Sequence, residues 1–418
     1  WYGWYVTGFL SFGYFLSFLD RAIVNVLIEQ IKHDLDLSDT GISILIGFSF
    51  AFFFAVAGIP LGRMADRGNR KLLIFFSVIT WGLATMASGL SKGFWSLFAT
   101  RTVMGCGEAG LSPAAMSILS DYFSPEKRSM AIATFLIGGV IGGAGAGLFA
   151  GVLLNFGEDL STFIVPWVGT LKPWQWVFII VGLPALPYGL LVLLTVKEPE
   201  RHEMSADTNA SYKDTLKYVR KNWQTYTALI MGITAIITVN MGYLSWGIPI
   251  FIRVHGMEIK DAAFFFMVPI FVFGLIGNYA VVGLGRHLMM KRGMPDGFLR
   301  AGQYVALGVF FPMFLGPLMP DEYSSIALLG PAIGFMIGSG ALMPVAINVI
   351  IPNQYRGQSM AIASVVSSIL AGGVGPIMIA LMTDFIYRDE SLVHYSAATM
   401  AVIFLPLAYF VLRWGRPY

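Results

Sequence analysis

Long uninterrupted apolar runs, not alternating polar and apolar positions, dominate this chain. A helix needs roughly 20 apolar residues to cross a bilayer, whereas a spanning strand alternates over about 10. Runs of the helical kind lie at 4–28, 41–62, 71–90, 94–119, 130–154, 174–196, 224–251, 262–286, 298–318, 324–350, 358–385 and 393–413. Short polar stretches separate them, with two exceptions. One is 155–173, which carries Glu158 and Asp159, and the other is 197–223, the most polar stretch of all. The pattern predicts an all-α membrane protein with twelve transmembrane helices. It divides the chain into a six-helix bundle over 1–196, a linker over 197–223 and a second six-helix bundle over 224–418. Within the linker, Tyr212, Leu216, Val219 and Trp223 recur at helical spacing with lysines between them. They read either as an amphipathic helix on the membrane face or as a plain tether. The first apolar run is too long for a signal-peptide core and lacks a small-residue cleavage site, so it is read as a span.

Composition sharpens this picture. Hydrophobic residues make up 56% and charged residues 12% of the 418 positions, against about 25% charged in soluble domains. In lipid the backbone must satisfy its own hydrogen bonds, which leaves helices for runs of this kind. The net charge of +3 is too small to imply a nucleic-acid partner, and its distribution says more. One set of loops carries Arg63, Arg67, Arg70, Lys71, Lys127, Arg128, the basic linker and Arg286, Lys291, Arg292, Arg300, Arg356, Arg413 and Arg416. The other set carries Lys32, Lys92, Lys172, Arg253, Lys260 and Arg388. The positive-inside rule then places both termini in the cytoplasm of a multi-pass inner (plasma) membrane protein. Cys106 is the single cysteine, so no intrachain disulfide forms, and five scattered histidines offer no metal site.

An internal repeat supports two halves. Ser129-Met130-Ala131-Ile132-Ala133 recurs as Ser359-Met360-Ala361-Ile362-Ala363, and Gly142-Gly143-Ala144-Gly145 recurs at the same offset as Gly372-Gly373-Val374-Gly375. Parallel six-helix halves are the arrangement of major facilitator transporters, in which substrate binds between the halves near mid-membrane. The loop Gly62-Arg63-Met64-Ala65-Asp66-Arg67-Gly68-Asn69-Arg70-Lys71 resembles the signature loop of that superfamily, G-x-x-x-D-R-x-G-R-R/K. The resemblance implies a conformational latch formed by Gly62, Asp66, Arg67, Gly68, Arg70 and Lys71. Gly62 would allow close helix approach, and Asp66 would accept from a helix N-terminus or pair with an arginine of the other half. A basic loop that only obeys topology is the plainer alternative. The second-half counterpart, Leu284-Gly285-Arg286-His287, lacks the acid, so a weaker latch is expected there.

Ionisable groups inside apolar helices are the next signal, because a charge at the bilayer centre costs from about 3 to more than 10 kcal/mol. The first run holds Asp20 and Arg21, and the fourth holds Arg101 and Glu108, which are about two helical turns apart and share a face. Phe18-Leu19-Asp20-Arg21, together with Arg101-x-x-x-Gly105-x-Gly107-Glu108-Ala109, resembles the spinster family within the superfamily. Spinster proteins are implicated in moving amphipathic lipids such as sphingosine-1-phosphate and lysophospholipids. The resemblance implies that Asp20 and Glu108 couple protons and line the substrate cavity, with Arg21 as ion-pair partner and Arg101 as anion-binding group. A change of partner by either arginine during the cycle would alter the proton affinity of the acids. The alternative is a buried ion-pair network that fixes packing only.

The remaining signals are weaker. Gly105, Gly107 and Gly110 match G-x-G-x-x-G, but inside an apolar helix they read as packing residues rather than a dinucleotide fingerprint. No phosphate-binding lysine motif follows a glycine loop, so ATP is not expected to drive the protein, no cofactor is expected and protons are the coupling ion. Gly139, Gly143, Gly147 and Gly151 lie four apart and predict close helix contact. Gly375-Pro376 predicts a bend in the eleventh run. Asn240, Tyr243, Trp246 and Asn348 are candidates for cavity lining, and Asp384 is either interfacial or functional. No nucleophile arrangement marks an enzyme. The reading is a monomeric secondary transporter whose partners are membrane lipids and a small amphipathic substrate. Two alternatives stand beside it. One is a same-fold transporter of small organic anions, sugar acids or drugs, and the other is a non-transporting receptor or scaffold.

Overall fold

The computed structural model describes residues 1–161, 164–165, 169–201 and 212–416, and a few helical side chains, that of Asn348 among them, lie outside the described residues. The chain forms two compact units. One comprises Trp1–Met204 with Ile259–Phe264, and the other Ser205–Glu258 with Phe265–Tyr418. Among the described residues, eleven helices are long and apolar enough to cross a membrane. Like the sixth and tenth spans, the remaining predicted span, 94–119, is interrupted: it forms Phe94–Glu108 and Leu111–Tyr122, which meet at Ala109 and Gly110. Pro113 explains the break. In an unbroken helix its missing N–H would leave the Ala109 carbonyl without a donor, and its ring would press against that carbonyl.

In the first unit the spans are Tyr2–Val26, Asp39–Arg67, Arg70–Ser88, the broken fourth, Pro125–Leu160 and the pair Pro173–Gly182 and Ala185–Thr195. Asn69 caps the third span, its side chain accepting from the Leu72 N–H at 2.9 Å, which replaces one bond the first turn lacks. The core of this unit gathers around Trp81, Ile74, Val78, Phe135 and Ile118, all fully buried. Between the fifth and sixth spans, Ile164–Val165 pairs antiparallel with Gly169–Thr170.

Glycines set the closest helix contacts, the tightest of them one position before the predicted Gly139 and Gly143, while Gly151 of that stripe lies outside the described residues. A Cβ at Gly138 would stand 2.0 Å from the Ser11 carbonyl oxygen, and one at Gly142 2.2 Å from that of Phe15. The first and fifth spans therefore meet backbone to backbone along Gly138 and Gly142. Gly139 packs on the Tyr14 ring, whereas a Cβ at Gly143 would meet nothing within 4 Å. Gly62 likewise faces open space, so close approach does not explain it. The fourth-span glycines do pack: added Cβ atoms at Gly105 and Gly107 would meet Phe50 O at 2.6 Å and Trp81 N at 2.8 Å.

The second unit holds Trp223–His255, the helix Ile259–Met290 from Phe265 onward, Gly297–Leu315, the pair Glu322–Ser339 and Leu342–Ile350, a long eleventh span and Val393–Trp414. The eleventh span alternates α-helix with π-helical stretches at Ser368–Val374 and Met382–Tyr387. Gly375-Pro376 stands where the first of these gives way to α-helix, Pro376 lying in the first turn of Gly375–Leu381. The linker contains a helix, Tyr212–Lys221. Of its predicted apolar positions, the side chains of Tyr212 and Leu216 lie outside the described residues, and Trp223 is half-exposed with its ring edge on Trp414.

Candidate functional site

The first, third and fourth spans bring four charges together inside the first unit. Asp20, Arg101 and Glu108 are each at most 2% exposed. Arg21 donates through Nε to Glu108 Oε2, and Ser17 Oγ donates to the same oxygen at 2.8 Å. Thr85 of the third span donates to Asp20 Oδ2 at 3.0 Å. The guanidinium of Arg21 lies over the rings of Phe18, Phe50 and Phe54, at 4.9, 4.8 and 4.6 Å from their centroids. Such stacking suits the flat, weakly hydrated face of arginine. The Arg101 guanidinium is 5.5 Å from the Phe50 centroid and donates to Met104 Sδ at 3.0 Å.

These groups are within electrostatic reach of one another: the charges of Glu108, Arg101 and Arg21 all act on Asp20. As ionised groups, two acids and two arginines balance. Yet the hydrogen bonding is incomplete. Asp20 Oδ1, Glu108 Oε1 and Arg101 Nε are buried and find no hydrogen-bond partner among the described residues. A purely structural ion-pair network satisfies its buried polar atoms, because each one left over costs about 1–3 kcal/mol. In this cluster each of the three fully buried charged groups has one such atom among the described residues. Chemically, the arrangement can accept a proton on either acid, move an arginine between acids, and receive an anionic group at Arg101.

The predicted latch loop is built around Arg70. That side chain is buried and donates to Asp121 Oδ2, to Ser117 Oγ at 3.1 Å, to Glu198 Oε1 at 2.6 Å and to the Pro199 carbonyl at 2.8 Å. Glu198 also accepts from the Lys71 N–H at 2.9 Å. Arg201 donates to the carbonyls of Ala65, Asp66 and Gly68. Arg70 thus ties the start of the third span to the end of the fourth and to the segment after the sixth. Asp66, Arg67 and Gly68 are exposed.

The other predicted positions lie apart from the charged cluster. Asn240, Tyr243 and Trp246 are buried in the second unit, donating to the carbonyls of Ile333, Met313 and Pro376. The Met313 carbonyl lacks its usual helical donor because residue 317 is proline, so Tyr243 replaces that bond. Asp384 is half-buried in the π-helical turn Met382–Tyr387, and the side chain of Asn348 lies outside the described residues. No group of three metal-ligating side chains occurs among the described residues. Ser17, Thr85, Phe50 and Phe54 join the cluster without a mark in the sequence, except that Ser17 precedes Arg21 by one helical turn and so shares its helix face.

Comparison with known proteins agrees with the fold. A crystal structure of a bacterial homologue of the human lysosomal transporter spinster, in an inward-facing and unoccupied conformation, superposes with a TM-score of 0.86 at 25% identity, covering 100% of this chain and 97% of that one. An MFS-type efflux pump of Mycolicibacterium smegmatis is 35% identical over 193 residues, 46% of this chain and 42% of the pump. Protein spinster homolog 1 of Xenopus tropicalis is 28% identical over 239 residues, 56% of this chain and 42% of that protein. The matched stretches thus span less than half the length of these two relatives. The sequence model of the Major Facilitator Superfamily matches residues 10–376, and with two helical units and the spans described above the chain belongs to that superfamily of membrane transporters.

Proposed function

We propose that this chain is a proton-coupled secondary transporter that works by alternating access and moves an amphipathic, lipid-like substrate with an anionic or zwitterionic head. The observation that carries the proposal is the buried ion pair of Arg21 with Glu108 beside Asp20 and Arg101, each of the three fully buried groups retaining an unpartnered polar atom among the described residues. Protonating Glu108 removes the charge that holds Arg21, and Arg21 is then free to turn to another anion. Likeness to spinster proteins supports the lipid-like substrate, and the aromatic surroundings of Arg21 suit a molecule that is part apolar. Asp20 and Glu108 are the proton carriers, Arg21 the partner that switches, and Arg101 the group that meets a negative head. The distribution of basic loops supports an inner-membrane location with both termini in the cytoplasm.

A second reading has its own support. The likeness to an efflux pump, with two arginines in one buried cluster, also suits a small organic anion or drug. Proteoliposomes distinguish the two. Flux of a labelled lysophospholipid or sphingoid phosphate that follows an imposed pH gradient, and is lost in Glu108→Gln, is the expected result. Gradient-driven flux of small anions with none of either lipid would overturn the lipid assignment. Flux that keeps its pH dependence in Glu108→Gln would overturn the coupling role.

A further inference from the structure

A groove in the first unit lies outside the charged cluster. The second and third spans are joined by the short turn at Gly68 and Asn69. Each packs closely on Phe94–Glu108 of the fourth span, while they scarcely touch each other. The space left between them is about 940 Å³. Cys106 and Gly107 of the fourth span form its floor, Leu61 and Leu73 contribute to its walls, and Met64 and Phe76 form an open lip, 53% and 61% exposed. At the loop end its lining turns basic, with Arg63 and Arg67 beside Asn69, and its described lining residues include no carboxylate. From Ala57 to Arg67 the second span rises about 15 Å, half of the ~30 Å hydrocarbon thickness. The groove therefore runs from the loop to mid-membrane, the depth of one leaflet.

We propose that this groove is a binding site for one anionic phospholipid of the surrounding bilayer, of the phosphatidylglycerol type. One acyl chain lies between the second and third spans with its end at Cys106 and Gly107. The phosphate lies at Arg63 and Arg67, where guanidinium groups give charge-assisted bonds to phosphate oxygens. Length, apolar walls and a basic end together select a lipid over a soluble anion, which would leave the apolar walls uncovered, and an anionic lipid over a zwitterionic one. The inference rests on the membrane location of the spans and not on what the protein transports. Because the floor adjoins Glu108, the occupant bears on the turn that carries the ion pair.

The test is photo-crosslinking in nanodiscs of phosphatidylcholine that contain a small fraction of lipid carrying a diazirine near its acyl terminus. Phosphatidylglycerol and phosphatidylcholine probes are compared on the full chain, and adducts are mapped by mass spectrometry. The phosphatidylglycerol probe should give several-fold more adduct on the segments around Thr80 and Cys106, and Arg63→Gln with Arg67→Gln should reduce it to the phosphatidylcholine level. Equal yields from the two probes on the unchanged protein would overturn the proposal without recourse to any variant. So would a phosphatidylglycerol preference that survives in the double variant, or adducts spread evenly over other lipid-facing helices.

Discussion

Arg21 and Glu108 are 87 residues apart in sequence, yet the Nε of one donates to the Oε2 of the other across the first and fourth spans. The acid is fully buried, and a quarter of the arginine side chain remains exposed. Phe18, Phe50 and Phe54 surround the guanidinium with aromatic faces, so the pair sits where water screens it little.

Removing one partner of this pair should be far worse than removing both. Arg21→Met leaves a buried carboxylate with only the Ser17 hydroxyl, and Glu108→Met leaves a guanidinium without its acid. Breaking a buried pair costs about 3–5 kcal/mol, whereas replacing both partners by apolar groups is often neutral. The partial exposure of Arg21 places the single variants at the lower end of that range. Thermal unfolding in detergent is expected to show both singles destabilised and the double variant recovered towards the unchanged protein, while gradient-driven transport stays lost in all three. Additive losses in the double variant would mean that the two residues do not act as a pair.

The glycines of the fifth span give a second, sharper contrast between neighbours. A methyl group at Gly142 would meet the Phe15 carbonyl oxygen at 2.2 Å, and one at Gly143 would meet nothing within 4 Å. Gly142→Ala must push the first and fifth spans apart, at a cost of about 1–3 kcal/mol. Gly143→Ala should be neutral or stabilise by up to about 1 kcal/mol, because alanine is the better helix former. Comparing the two melting temperatures checks the assignment of the contact face, and equal effects would refute it.

The spans and the four charged residues were legible in the sequence because both depend on local composition: apolar length for the first, charge within it for the second. What the sequence did not reveal was contact across spans. Asp121 lies just past the predicted end of the fourth span and Glu198 in the linker, and no periodicity connects either to Arg70, although both bind it. Thr85 is one hydroxyl among many in apolar helices, and nothing along the chain marks it as the partner of Asp20. The phase of the glycine contacts was not legible either. Spacing by four fits both Gly138 with Gly142 and Gly139 with Gly143, and only packing decides between them.

Asp296 provides a pH test outside the membrane spans. Its two oxygens accept from Arg300 Nε and Arg416 Nε, each at 2.7 Å. Partial burial pushes its carboxyl up, but the hydrogen bonds and charges of the two arginines outweigh burial and hold it below the usual carboxylate range. A depressed carboxyl contributes stability that is present above its unfolded value, about 3.9, and is lost as pH falls through the folded value. Asp296→Asn should therefore be less stable than the unchanged protein at neutral pH by about 0.5–1 kcal/mol, the scale of partly exposed pairs. The gap should close as pH falls below about 4. A gap that persists into acid would assign the effect to shape rather than charge.

The break in the fourth span yields the last prediction. Glu108 ends one helix, and the next begins at Leu111, with Pro113 in its first turn. Proline withholds the N–H that an unbroken helix would offer to the Ala109 carbonyl, so Pro113→Ala restores that donor and permits the two helices to merge. Alanine is also the better helix former, so stability should not fall. Merging the helices would turn the last residues before the break, and Glu108 is the one that must keep its place against Arg21 and Ser17. Gradient-driven flux is therefore expected to fall by about tenfold, the equivalent of ~1.4 kcal/mol, in a protein whose melting temperature is unchanged or higher. Flux and melting should be measured on the same preparation. Full transport in Pro113→Ala would show that the break only accommodates packing and does not set the position of the acid.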